Sequence, residues 1–343
     1  MPFSAVVGHR RLLTLLSQAI ARESLTPSLI LSGPEGVGKR LTATAVAQAL
    51  NCPSPKVAKD LSHAADGLLH DGCGVCAVCR RIARGAHSDV QAIEPGESGS
   101  IKIEQVRAAI DRAVYRPFEG RRRVTIIDQA DALVGGAQHA LLKTLEEPLP
   151  ASVFILVTSR PDTLLPTVRS RCAHLRFGRL NVADVAVVLE RGHGYSRADA
   201  LTVAAASDGS VRRALELKAG EFADARNDAE HLLRAAVRDP RTRLEQGKHL
   251  LSGGGSAPSE RDHLSLRLQA ISAMLRDLGL LGSGADERFL AHVDQRASLD
   301  ALAATLGPQR VISAFAAVTT ASDALERNVS PKVVADWLAL NVH

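Results

Sequence analysis

The chain has 343 residues, which exceeds one typical domain and leads us to expect two or three domains. Hydrophobic residues make up 45% of the sequence and can fill a sizeable core, but only 3% of residues are aromatic, so Leu, Val, Ile and Ala must form most of that core. The net charge of +5 permits contact with nucleic acid without requiring it, and we find no membrane-length apolar run and no signal-peptide pattern, which predicts a cytoplasmic protein with no membrane partner.

The first half of the chain alternates predicted helices and strands. Apolar residues at helical spacing predict a helix over 10–21, and the apolar run at 29–31 predicts a buried strand that leads through a Gly-rich loop into a helix over 39–50. Further strands are predicted at 90–93, 124–127 and 153–157, and further helices at 103–115 and 137–146. Strands separated by helices of this length imply a parallel sheet covered on both faces. Residues 1–178 are therefore predicted to form one α/β nucleotide-type domain.

The second half changes to Ala- and Leu-rich segments without a convincing strand. Helices are predicted at 183–190, 197–206 and 210–218, with Asn181 and Ser196 as N-caps. These segments predict a small helical domain over 179–222, followed by an all-helical domain over 223–343 that serves packing or oligomerisation. A flexible loop is predicted at 251–258 and a final helix at 331–340.

A Gly-rich loop between the first strand and its helix has the pattern of a phosphate-binding P-loop. In such loops backbone N–H groups surround phosphates, the lysine reaches the terminal phosphates, and a following hydroxyl binds Mg²⁺. The predicted cofactor-binding residues of this loop are Gly33, Gly36, Gly38 and Lys39. Position 40 is Arg40 where the motif has Ser or Thr, and a guanidinium cannot ligate the metal ion.

An acidic strand end matches this loop. Asp128 follows the predicted strand at 124–127, where a carboxylate would support the metal ion, but its neighbour is Gln129 instead of a glutamate. An amide cannot take the proton that a general base accepts. The loss of both groups argues against hydrolysis. Two interpretations remain, a loop that holds ATP or ADP without hydrolysing it and a Gly-rich turn that holds no nucleotide.

Four of the five cysteines form one cluster with the spacing C-x20-C-x2-C-x2-C. The predicted metal ligands are Cys52, Cys73, Cys76 and Cys79. Four thiolates suffice for a closed tetrahedral Zn²⁺ site, and three thiols within seven residues in a reducing cytosol favour structural zinc over disulfides. His63 or His70, in the long spacer, could substitute for Cys52, but the four-cysteine set is the one we predict.

The order of these motifs resembles a known family. After the P-loop, the cysteine segment and the acidic strand end come the sequences ALLKTLEEP at 140–148, LPTVRSRC at 165–172 and GSVR at 209–212. This order is similar to that of the bacterial clamp loader ATPases of the AAA+ class. The resemblance implies an AAA+ P-loop domain, a small helical lid domain and an all-helical collar domain. Within that family the chain is most similar to the kind of subunit that has a degraded ATP site.

The resemblance also implies roles for three residues. Arg171 would be an arginine finger, catalytic in trans at the ATP of a neighbouring subunit. Thr158, or Ser159 beside it, would be a polar sensor near the terminal phosphate, and Arg212 would be the basic sensor of the lid domain. The implied partners are other clamp loader subunits of DNA polymerase III, both motor ATPase and clamp-opening, together with the sliding clamp and, through the complex, primed DNA.

Other interpretations stay open at this point. The chain could be an active ATPase subunit of the loader, with Mg²⁺ held through water by Asp128, or a zinc-bearing DNA-binding protein with a decayed nucleotide fold. Arg171 could be an ordinary surface or helix-capping arginine. The basic triplet at 121–123 could meet DNA or a partner, although a solvated charge cluster explains it as well.

Overall fold

The computed structural model describes residues 1–59, 67–217, 219–251, 257–284, 290 and 295–342. His63 lies outside these residues, as do the central positions of the loop predicted at 251–258. The chain divides into two compact units, Met1–Asp184 and Val185–His343. The three-domain division, with boundaries after residues 178 and 222, stays a prediction.

The strands of the first unit form one parallel sheet and one small hairpin. They are β1 (Ser28–Ser32), β2 (Lys56–Val57), β3 (His70–Asp71), β4 (Val90–Ile93), β5 (Arg123–Ile127), β6 (Ser152–Thr158) and β7 (Ala173–Arg176). Five of them form a sheet in the order β4-β5-β6-β1-β7, with every pairing parallel, while β2 and β3 pair antiparallel. The predicted parallel sheet is confirmed. We did not predict β7, because a four-residue edge strand with one polar face gives a weak pattern in the sequence.

Parallel pairing brings the carboxyl ends of these strands to one edge of the sheet. Ser32, the last residue of β1, pairs with Thr158, the last residue of β6. Ile127 at the end of β5 pairs with Ile93 at the end of β4. The segments that follow these strands therefore begin at neighbouring positions, on the edge where open α/β sheets bind ligands.

Six helices accompany the sheet in the described part of the first unit. They are α1 (Arg10–Ala21), α2 (Lys39–Asn51), α3 (Ala77–Ala83), α4 (Ile103–Val114), α5 (Gly135–Glu146) and α6 (Pro166–Arg169). One core cluster joins α4, α5 and α6 to β1, β5 and β6, and Ile127, Leu141 and Leu156 within it are fully buried. All seven residues of β6 are buried, as expected for a strand that is covered on both faces.

After β7 the described residues form helices without a strand. They are α7 (Val182–His193), α8 (Arg197–Ala206), α9 (Val211–Glu216), α10 (Ala219–Ala235), α11 (Pro240–His249), α12 (Ala257–Gly282), α13 (Arg296–Glu326) and α14 (Pro331–Asn341). The side chain of Asn181 accepts the backbone N–H of Asp184 at 2.7 Å, and Ser196 accepts that of Asp199 at 3.2 Å. Both predicted N-caps are therefore confirmed.

The helix α13 is long and apolar. With a mean hydropathy of 1.3, it is the one helix among the described residues that is long and apolar enough to cross a membrane. It is therefore an exception to the expectation that the sequence has no apolar run of membrane-spanning length. Gly307, at φ 69° and ψ 163°, interrupts its helical backbone before Pro308. The helix α13 packs against α12, and the core helix of a soluble protein can be equally long and apolar. These properties are therefore weak evidence for a membrane span.

Candidate functional site

The P-loop follows β1 and leads directly into α2. Gly36, at φ 73°, and Gly38, at φ 95°, lie in the left-handed region that residues with a Cβ rarely adopt. Gly33 has φ 141°, and a Cβ there would lie 2.2 Å from the carbonyl oxygen of Phe177. Glycine is therefore required along the path of this loop.

Lys39 is buried within its own loop. Its Nζ donates to the carbonyl oxygens of Gly33 at 2.6 Å and Pro34 at 2.5 Å. Burial lowers the pKa of Lys39, and the carboxylates of Glu35 and Asp128 partly oppose this shift. To reach a terminal phosphate, the ammonium group would have to leave both carbonyl oxygens.

Arg40 joins α2 to the ends of two strands. Its Nη1 donates to Oδ2 of Asp128 at 2.7 Å and also pairs with Oε1 of Glu94. Asp128 directly follows β5 and Glu94 directly follows β4, so the parallel register sets the two carboxylates side by side. Burial alone would lower the pKa of Arg40, but the hydrogen bonds with Asp128 and Glu94 raise it above its ordinary value. A permanently charged guanidinium therefore sits on the carboxylate that the P-loop pattern assigns to a metal ion.

Gln129 occupies the position of the expected general base. Its backbone is left-handed, at φ 50° and ψ 50°, and its N–H donates to Oδ1 of Asp128 at 3.0 Å. A side-chain amide has no basic group at neutral pH. Position 129 therefore supplies no proton acceptor for hydrolysis.

The predicted sensor Thr158 is engaged by a carboxylate at the same sheet edge. Its Oγ1 donates to Oδ1 of Asp131 at 2.9 Å, and Nη2 of Arg160 lies 3.1 Å from Oδ2 of Asp131. Ser159, the other predicted sensor, donates its backbone N–H to Asp131 at 3.3 Å. Burial would raise the pKa of Asp131, but the hydrogen bonds with Thr158 and Arg160 hold it below its ordinary value.

The two remaining predicted arginines lie in different units. Arg171 follows α6, where its Nη2 pairs with Glu146 at 2.5 Å and its Nη1 donates to the carbonyl oxygen of Thr167 at 2.9 Å. A third of this side chain is exposed, at 33%. Arg212 belongs to α9 in the second unit, where its Nε donates to Glu216 at 3.2 Å.

The four predicted metal ligands come together. Their Sγ atoms all lie within 4.8 Å of one another, and Cys52–Cys76 and Cys73–Cys79 are each 4.0 Å apart. Zinc–sulfur bonds of about 2.3 Å place tetrahedral sulfurs about 3.8 Å apart, so this donor set fits Zn²⁺ after a small adjustment. All four are free thiols, with no disulfide among them. The ring of His70 instead has its Nε2 3.0 Å from a backbone carbonyl of α2.

Backbone N–H groups orient the sulfurs. The Sγ atoms of Cys52, Cys73 and Cys76 accept hydrogen bonds from the N–H groups of the next cysteine in the sequence, at 3.4, 3.3 and 3.3 Å. The last of these contacts is also the N-cap of α3. Burial would raise the pKa of Cys73, but N–H donation from Cys76 and Val75 lowers it to about 6. Burial raises the pKa of Cys52 and Cys79 instead, so within this cluster the thiolate form that binds metal is favoured at Cys73.

The cysteine segment is tied to α2 and to the first residues of the chain. Nε2 of Gln48 donates to the carbonyl oxygen of Cys79 at 2.6 Å. Asp71 accepts the backbone N–H groups of Phe3 at 2.7 Å and Ser4 at 3.0 Å. These contacts attach the backbone on both sides of the Cys73–Cys79 segment to neighbouring parts of the first unit.

Two acidic residues of the sheet edge were missed by the sequence analysis. Glu94 directly follows its predicted strand, as Asp128 does, and this shared position could have indicated that the two carboxylates lie together. Asp131 lies three residues after Asp128, but its bond to Thr158 spans 27 residues and depends on tertiary contact.

Residues 8–181, about half of the chain, match the family model described as "DNA polymerase III, delta subunit". The chain belongs to this family. The chain is 33% identical over 189 residues to DNA polymerase III subunit gamma/tau of Mycobacterium tuberculosis, and this match covers 55% of this chain and 31% of that protein. It is also 34% identical over 220 residues to DNA polymerase III subunit tau of Escherichia coli, and this match covers 63% of this chain and 32% of that protein. The chain therefore spans about a third of the length of these relatives.

Among solved structures, the chain is similar to the RuvB Holliday junction branch migration motor of Thermotoga maritima. The sequence identity is 18% and the TM-score is 0.41. The match covers 86% of this chain and 88% of that one.

Proposed function

We propose that the chain is the delta-prime subunit of a DNA polymerase III clamp loader, a cytoplasmic, non-catalytic member of a hetero-oligomer that places a sliding clamp on primed DNA. The observation that carries this proposal is the 2.7 Å bond between Arg40 and Asp128. A permanent cation on that carboxylate competes with Mg²⁺, and Gln129 supplies no general base. ATP or ADP held by Lys39 and the loop glycines would therefore not be hydrolysed.

Arg171 would act on the ATP of a neighbouring motor subunit. Its guanidinium is permanently charged, lies at the surface and offers a rigid fork of donors that matches phosphate oxygens. The side chains of Arg171 and Glu146 are 33% and 48% exposed, and opening such a surface ion pair costs about 1 kcal/mol or less. An arginine finger supplied in trans raises turnover by about 10³- to 10⁵-fold.

The other predicted features would have binding and structural roles. The four-cysteine site has no open coordination position, so Zn²⁺ would hold its segment in place without taking part in chemistry. Thr158 and Arg212 would be retained sensor positions. The helices of 223–343 would form the collar that joins the chain to motor and clamp-opening subunits.

A catalytically active AAA+ motor subunit of the loader is the second candidate. The similarity to gamma/tau chains, at 33% and 34% identity, favours it. In that case Arg40 would have to leave Asp128 when Mg²⁺ and ATP bind. The two candidates therefore differ in whether Lys39 is needed for turnover.

ATP turnover of the reconstituted loader, stimulated by clamp and primed DNA, separates the two candidates. We expect Arg171→Ala to remove the activity of the ATP site that Arg171 completes, an effect of about 10³-fold at that site. We expect Lys39→Ala to leave turnover within about twofold of wild type, because its own site is silent. Assembly of each variant is checked by size-exclusion chromatography.

Arg169→Ala is the matched control, because Arg169 lies two residues before Arg171 and pairs with Asp162 at 2.6 Å. It should leave turnover unchanged. A larger loss from Lys39→Ala than from Arg171→Ala would show that the P-loop works despite Arg40, and the proposal would then be wrong.

A further inference from the structure

Arg40 lies where three elements of the first unit meet. It is the second residue of α2, and its guanidinium contacts Asp128 after β5 and Glu94 after β4. In a working P-loop protein, the hydroxyl at this position and the acidic strand end both hold Mg²⁺, so the ion links the helix to the sheet. Here one side chain makes that link directly.

We propose that Arg40 is an intramolecular replacement for this metal ion, which closes the site to divalent cations and holds α2 to the ends of β4 and β5 without a ligand. The inference rests on the proposed degenerate nucleotide site and names what determines its metal specificity. It is independent of the role of Arg171.

The charges support a replacement. Asp128 and Glu94 bring two negative charges to one place, and Arg40 brings a positive charge that has no neutral form in a protein. The side chain of Asp128 is 15% exposed, whereas those of Arg40 and Glu94 are 47% and 53% exposed, so Asp128 is the shielded partner of the bridge. Mg²⁺ dehydrates reluctantly and binds such sites through one or two carboxylates plus substrate phosphates. It would have to displace a guanidinium that already occupies the carboxylate.

The neighbouring polar groups are also satisfied internally. The ammonium of Lys39 is bonded to Gly33 and Pro34, and the hydroxyl of Thr158 is bonded to Asp131. Groups that would contact phosphate or metal in a working site therefore have partners within the chain. Such pairing removes the penalty for unpaired buried polar groups and lets the loop persist without a ligand.

The competing possibility is that the Arg40 bridge opens whenever a metal–nucleotide complex arrives. Mn²⁺ distinguishes the two, because it suits the same carboxylate ligands as Mg²⁺ and its free ion is counted by electron paramagnetic resonance. Zinc-replete wild-type protein is titrated with Mn²⁺ in the presence and absence of ADP. We expect no ADP-dependent Mn²⁺ binding, and the same melting temperature in ADP with and without Mn²⁺.

The variant Arg40→Thr restores a hydroxyl and frees both carboxylates. It should bind one Mn²⁺ in an ADP-dependent manner, at least about tenfold more tightly than wild type. The double variant Arg40→Thr with Asp128→Asn should lose this site, which locates the ion at Asp128. Arg81→Thr is the matched control, because it breaks an arginine–carboxylate pair with Glu119 elsewhere, and it should behave as wild type.

ADP-dependent Mn²⁺ binding by the wild-type protein overturns the proposal, and this measurement holds even if a variant does not fold. A folded Arg40→Thr variant that binds no Mn²⁺ also overturns it. The turnover test of Arg171→Ala is read separately, so failure of the metal inference and failure of the finger-donor function are distinguishable.

Discussion

Asp89 is a buried carboxylate that organises the turn before β5. Its oxygens accept the backbone N–H groups of Phe118, Glu119 and Gly120 at 2.8, 2.9 and 2.8 Å, and Nη2 of Arg123 lies 3.1 Å away. Burial would raise the pKa of Asp89, but these donors hold it below its ordinary value. The carboxylate of Asp89 therefore stabilises a turn by accepting backbone N–H groups that no helix or strand hydrogen bond uses.

Replacement of this carboxylate should destabilise the protein. Asp89→Asn turns an amide NH₂ toward N–H donors and removes the charge that faces Arg123, so we expect the free energy of unfolding to fall by about 2 to 4 kcal/mol. Urea denaturation at neutral pH measures this loss. Asp162→Asn is the control, because Asp162 is 90% exposed in its pair with Arg169, and it should cost about 0.5 kcal/mol or less.

The same pair of proteins gives a pH test. The pKa of Asp89 is lower in the folded protein than its unfolded value of about 3.9. Its contribution to the free energy of unfolding is therefore complete above about pH 3.9 and is lost as the pH falls through the folded pKa. The stability gap between wild type and Asp89→Asn should be constant from about pH 5 to 8 and should narrow below about pH 3.9. A gap that does not narrow would show that the loss came from packing instead of charge.

At the scale of elements, the cysteine segment is a small structure whose four thiols lie close enough together to hold a metal ion. The hairpin of β2 and β3 and the short helix α3 have few residues from which to build an apolar core. Cys52 and Cys79 are buried, and α3 begins at the N-cap Cys76. Zinc binding to such segments contributes folding free energy on the order of 10 kcal/mol in isolated zinc-finger peptides.

Loss of one ligand should therefore release the metal and loosen this segment. We expect Cys76→Ser to lower the zinc content from one ion per chain to near zero, and to speed hydrogen exchange in α3 and β3 more than in β1 and β6. Elemental analysis and hydrogen-exchange mass spectrometry measure the two effects.

Cys172→Ser is the matched control for that experiment. Cys172 lies apart from the four ligands and packs against the core beside the sheet, and burial raises its pKa to about 12. The variant should keep its full zinc content. Zinc retained by Cys76→Ser, or lost by Cys172→Ser, would contradict the four-cysteine site.

At the scale of the whole molecule, α14 carries apolar residues on its outer side. Val333, Trp337 and Leu340 are spaced by four and three residues, which places them on one face of the helix, and all three are exposed. Pro331 and Leu338 are buried instead. An exposed apolar stripe of this kind suits the collar role that we propose for 223–343.

A charge on that stripe should weaken assembly without unfolding the chain. Val333 is 58% exposed, so we expect Val333→Glu to change the melting temperature by no more than about 2 °C and to reduce recovery of the assembled loader. Light scattering after size-exclusion chromatography measures assembly. Ala304→Glu, at an exposed position of α13, is the control and should assemble normally. Normal assembly by Val333→Glu would argue against this face of α14 as a subunit contact.

Most helices and strands of the first unit could be predicted because their signals are local. The strand at 90–93 and the helix at 10–21 have the predicted bounds, since apolar periodicity and turn residues lie within each element. The edge strand β7 could not be predicted, because four residues pair with β1 only through contacts distant in sequence.

The sequence by itself determined the P-loop, the defects at Arg40 and Gln129, and the four-cysteine cluster, because these depend on residue type and short spacing. Only the tertiary structure decided what Arg40 does. Its partner Asp128 lies 88 residues away, and Glu94 reaches the same guanidinium because parallel register aligns the ends of β4 and β5. Spacing can show that a metal ligand is missing, but a side chain that takes the place of the ion is identified by contact between segments that the fold brings together.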